Sequence, residues 1–88
     1  MRLKVNFETM ELDDEIVAIP TGNNSQLFHG VIKLNDTGAF ILDLLQKDIS
    51  EEEIIGHISE EYDASKEQIA ADVHMYLEKF RSRGLLEE

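Results

Sequence analysis

The spacing of apolar residues changes at Asn35, and no other feature of the sequence constrains the fold as much. Before that point apolar residues sit in short, β-branched or aromatic runs; after it they recur every three or four positions. Phe7 to Leu12 mixes aromatic, Thr and apolar residues, and Asp13-Asp14 offers a turn. Glu15-Ile16-Val17-Ala18-Ile19 is a second strand, which Pro20 is expected to end. Thr21-Gly22-Asn23-Asn24-Ser25 has the composition of a loop. Gly30-Val31-Ile32-Lys33-Leu34 is a third strand, with Ile32 and Leu34 on one face and Val31 and Lys33 on the other.

Three helices follow. Asn35 or Asp36 caps the first, which carries Ile41, Leu44 and Leu45. Ser50-Glu51-Glu52-Glu53 is a capping box that opens the second, with Ile54, Ile55, Ile58 and Tyr62 as its apolar face. Ser65-Lys66-Glu67-Gln68 opens the third, whose core stripe is Ile69, Val73, Tyr76, Leu77 and Phe80. Gly84 suits the position after its last turn, and Leu85 the contact that accompanies such an end. The expected fold is α+β and winged helix-turn-helix-like: a three-stranded antiparallel sheet followed by three helices, in a single domain over residues 1–88. Sequential pairing puts the third strand at the sheet edge.

Several kinds of chemistry are then excluded or weakened. With no cysteine there is neither a disulfide nor a thiolate site. No apolar run approaches the ~20 residues of a membrane helix, and the N-terminus does not resemble a signal peptide, so a cytoplasmic location is expected. His29, His57 and His74 are too far apart in sequence to form a helical ligand pair, and no metal or other cofactor is expected. No nucleophile motif or phosphate loop is present, and the clustered glutamates suit helix starts and solvated ends, so no catalytic residue is assigned. A winged-helix DNA-binding regulator is the competing reading. The net charge of −11 opposes it, as does a second helix with five glutamates and no Lys or Arg. An open strand edge that accepts an added peptide strand fits better.

Phe28-His29-Gly30-Val31-Ile32-Lys33-Leu34-Asn35-Asp36-Thr37-Gly38-Ala39-Phe40-Ile41 resembles the signature of the PqqD family, with Leu34-Asn35-x-Thr37-Gly38 at its centre. The resemblance extends through Ser50-Glu51-Glu52-Glu53-Ile54-Ile55, Glu60-Glu61-Tyr62-Asp63 and Asp72-Val73 to Gly84-Leu85-Leu86. It implies a recognition element for ribosomally made, post-translationally modified peptides. In that family the precursor's leader segment lies as an added strand along the third strand, in a groove walled by the third helix. A radical S-adenosylmethionine enzyme then modifies the peptide, as in pyrroloquinoline-quinone assembly or a related pathway. No catalytic activity of the chain itself is implied, and a monomer or a homodimer is compatible with a free edge.

The groove is expected to use the backbone of Val31, Ile32 and Lys33. At ~100° per residue, one flank of the third helix carries Lys66, Ala70, His74, Leu77 and Arg81, and the other carries Gln68, Asp72, Met75 and Lys79. The first flank is expected to face the peptide: Ala70 leaves room, Leu77 offers apolar contact, and Lys66 and Arg81 offer charge to acidic leader residues.

Overall fold

A computed structural model of the chain describes residues 1–22 and 30–88. The order of elements is β1 (Arg2–Leu3), β2 (Asn6–Leu12), β3 (Glu15–Thr21), β4 (Ile32–Leu34), α1 (Asp36–Leu44), α2 (Glu51–Glu61), α3 (Lys66–Ser82) and β5 (Leu86–Glu87). The α+β, winged-helix-like arrangement expected from the change of period is present: one antiparallel sheet in the order β2-β3-β4, then three helices. Residues 23–29 lie outside the described residues, and with them most of the expected loop and the Phe28-His29 start of the motif.

The strands follow the chemistry of their residues with three differences. Asp13-Asp14 does turn the chain, with Leu12 opposite Glu15 and Asp13 at φ 58, a left-handed conformation that Asp tolerates better than most residues. Pro20 does not end β3, which runs on to Thr21. The ladder with β4 reaches only to the Ala18–Ile32 pair, so β3 is locally an edge at Pro20 and the missing N–H is tolerated there. β4 is shorter than expected at its start, because Gly30 takes φ +115. An added Cβ there would meet nothing within 4 Å, so Gly30 serves its backbone angle and not a close approach. β1 and β5 form a second sheet that pairs Arg2 with Glu87 and Leu3 with Leu86. Strands of two residues have no period, which is why the sequence does not announce them.

The helices begin and end where their caps predict. Asn35 accepts from the Gly38 amide at 2.8 Å. Ser50 and Glu53 exchange both bonds of the capping box. Ser65 accepts from the Gln68 amide. α3 ends in a Schellman motif: Gly84 at φ +70 donates to the Arg81 carbonyl and Leu85 donates to that of Phe80. Leu85 is then fully buried, as the motif's hydrophobic contact requires.

The core joins the inner face of the sheet (Phe7, Ala18, Ile32, Leu34) to Ile41, Leu42, Leu45, Ile54, Ile58, Ile69, Val73, Tyr76, Leu77 and Phe80. Leu44, expected in the core, is only partly buried, whereas Leu42 is 2% exposed. Gly38, Ile41, Leu42 and Leu45 share the inward face at spacings of three and four, and Leu44 falls on its flank.

Candidate functional site

Among the described residues β4 pairs with β3 along one side, and no strand pairs with its other side. The Lys33 carbonyl accepts a bond from Lys79 Nζ at 3.3 Å, so it points away from β3. In an antiparallel ladder the N–H and C=O of one residue point the same way, and neighbouring residues alternate. Lys33 therefore presents both backbone groups at the open side, while Val31 lies one residue before the strand. Ile32 turns its backbone to β3 and its side chain into the core, where it is 1% exposed. Of the expected trio Val31, Ile32 and Lys33, Lys33 offers an edge, Ile32 is structural and Val31 lies just outside the strand with its side chain exposed.

The motif around Asn35 explains how a side chain from α3 arrives at this edge. Asn35 Oδ1 accepts from the Gly38 amide and also from the Tyr76 hydroxyl, the latter at 2.7 Å. Gly38 makes the approach possible, since a Cβ there would lie 2.7 Å from Tyr76 Cε1. The ring is thus held against the first turn of α1 by a hydrogen bond at its tip and a glycine at its side. Lys79, one turn along α3, extends over this ring with Nζ 5.9 Å from the centroid and ends at the Lys33 carbonyl. Leu34-Asn35-x-Thr37-Gly38 is therefore a docking device that seats α3 beside β4.

This geometry reverses the expected orientation of α3. Lys66 lines a hollow with Glu52, Ile55 and Gly56 of α2, and His74 Nδ1 lies 3.8 Å from Glu51 of the same helix. Ala70 lies between these two on the same flank, and so faces α2 as well. Leu77 is fully buried and has no surface to offer a ligand. Arg81 is bonded to Glu78 and Glu88, and its guanidinium pKa is raised, first by the hydrogen bond with Glu88 and, against an opposing effect of desolvation, by the charges of Glu88 and Glu78. The flank of Lys66, Ala70, His74, Leu77 and Arg81 thus faces α2, the core and the C-terminus. The opposite flank reaches β4 through Lys79, and Met75 on the same flank is 54% exposed.

Beside the edge the exposed apolar side chains are Val31 and Met75, and the charged ones are Lys33 and Lys79. Among the described residues no group of three or more His, Cys, Asp or Glu is placed to hold a metal ion. No helix among them is long and apolar enough to cross a membrane. What the arrangement offers chemically is backbone hydrogen bonding along one strand, bordered by a thioether, an aromatic ring and an ammonium.

Comparison with known proteins bears on the fold and the family. The chain resembles TbiB1, solved in complex with the TbiA(beta) leader peptide, at 25% identity and a TM-score of 0.73, over 99% of this chain and 95% of that one. It shares the fold of a lasso peptide synthetase B1 complexed with its leader peptide, at 20% identity and a TM-score of 0.67, over 99% and 96% of the two chains. No curated protein matches the chain. The family described as Coenzyme PQQ synthesis protein D (PqqD) matches residues 10–86, and the chain belongs to that family.

Proposed function

We propose that this chain is a non-catalytic recognition element that binds the leader of a ribosomally made precursor peptide as a strand added to β4. The observation that carries the reading is the open side of β4, with the Lys33 backbone groups facing out beside Met75 and Lys79. The two structural neighbours, each solved with a leader peptide, support a leader peptide as the ligand. Backbone pairing supplies affinity that depends little on sequence, and the side chains along the groove supply choice. The whole of residues 1–88 acts as one domain, as a monomer or a homodimer, in the cytoplasm. Its second partner is a radical S-adenosylmethionine enzyme that modifies the presented peptide, in pyrroloquinoline-quinone synthesis or a related pathway.

The test is a titration of the purified chain with the labelled precursor peptide encoded beside it, followed by fluorescence anisotropy. Saturable binding is expected, and the peptide's mass is expected to stay unchanged when no partner enzyme is added. A mass change under those conditions would overturn the non-catalytic reading. Met75→Trp is expected to obstruct the groove and weaken binding about tenfold or more, about 1.4 kcal/mol. Ala70→Trp, on the flank toward α2, is expected to leave affinity unchanged. The opposite pattern would put the peptide on the other side of α3.

A further inference from the structure

Among the described residues no ion pair joins Lys79 to a carboxylate, in a chain of net charge −11. Among the described residues its contacts are the Lys33 carbonyl and the face of the Tyr76 ring. The nearby acids are otherwise engaged or face elsewhere. Glu15 pairs with the Lys33 ammonium across the sheet at 3.9 Å. Asp72, two turns earlier on α3, accepts from Gln68, while Glu78 belongs to Arg81. Asp36 sits in the first turn of α1, where negative charge is favoured.

The bond from Lys79 occupies a backbone group that strand addition would use. A peptide strand pairing with β4 brings its own N–H to the Lys33 carbonyl, and the Lys79 ammonium must then give up that position. An ammonium left under an added strand with no acceptor carries a large desolvation penalty, which a carboxylate in reach removes. None of the ion pairs among the described residues supplies that carboxylate to Lys79, so a carboxylate on the peptide is the partner that would spare it that penalty.

Resting on the function proposed above, we infer that Lys79 selects for acidity in the leader: it guards the Lys33 carbonyl in the free chain and transfers to an Asp or Glu side chain of the bound strand. The geometry gives the class of peptide a further feature. Met75 lies four residues before Lys79, roughly 6 Å along the helix axis. Alternate residues of an extended strand are roughly 6.7 Å apart on one face. A strand running alongside α3 therefore meets Lys79 with its acidic residue and Met75 with an apolar residue two positions away.

Panning a display library of random peptides against the wild-type chain and against Lys79→Glu reads this directly. The wild type is expected to enrich peptides with Asp or Glu two positions from an apolar residue, and Lys79→Glu to enrich Lys or Arg at the same place. For a synthetic peptide from the wild-type pool, Lys79→Met is expected to weaken binding about tenfold, with an unchanged thermal melting curve because the aliphatic stem is kept. Enriched peptides with no acidic preference, or a preference that Lys79→Glu does not shift, would overturn the role of Lys79 and leave the peptide-binding reading standing. If the wild type enriches nothing, both fall together.

Discussion

Two glycines in this chain are needed for opposite reasons, and substitutions separate them. At Gly84 an added Cβ meets nothing within 4 Å, but φ is +70, so Gly84→Ala strains only the backbone. A loss of about 1–2 kcal/mol is expected in a denaturant titration. At Gly38 the Cβ would strike the Tyr76 ring at 2.7 Å and Leu34 at 3.1 Å. Gly38→Ala is expected to cost about 1–3 kcal/mol and also to weaken peptide binding, since the displaced ring carries Lys79 away from β4. Binding that survives Gly38→Ala intact would mean that α3 does not depend on this contact for its seat. The role of Gly84 is readable from its place just after a periodic run. That of Gly38 is readable only as far as a tight approach in a first turn, because the partner ring comes from α3, far along the chain. Asn35 shows the same limit: its cap is local, but its second bond, to the Tyr76 hydroxyl, is not.

Helix faces are legible in the sequence more fully than helix orientation. Period and capping place α1, α2 and α3, and they identify Ile41, Leu45, Ile54, Ile58, Ile69, Val73 and Phe80 as core, all at most 4% exposed. Leu45→Ala is accordingly expected to cost about 2–5 kcal/mol, and Leu44→Ala clearly less, in the same thermal or denaturant measurement. Similar losses at the two positions would contradict the inward face assigned to α1. The period of a helix says which stripe is buried but treats the two flanks of that stripe alike. Whether Lys66, Ala70 and His74 or Met75 and Lys79 adjoin β4 depends on how α3 crosses the sheet and on which side α2 packs. That crossing is set by the contact between Tyr76, Gly38 and Asn35, which has no signature in the spacing of α3 itself. Tyr76, a ring with a polar tip in an otherwise wholly apolar stripe, is the one residue whose type hints at it.

Across the whole molecule the strongest statement of the sequence is electrostatic. A net charge of −11 repels nucleic-acid backbones, and titration with labelled duplex DNA at physiological salt is expected to show no complex. A saturable complex there would favour the regulator reading instead. The joining of the two ends of the chain, by contrast, could not be read in advance. β1 and β5 pair residues separated by nearly the full length of the sequence, and the backbone of Leu3 and Ile49 adds bonds to Leu45 and Met1. The antiparallel register puts Arg2 and Glu87 at the outer end of this pairing, bridged by their own side chains at 3.2 Å. If the chain is held by its two ends and stretched, this small sheet therefore bears the load like the teeth of a zipper, one bond at a time, and parts at low force. The β2–β3–β4 sheet lies inside that clasp, so a tether on either end would tug at the clasp before it disturbed the edge where a peptide would lie.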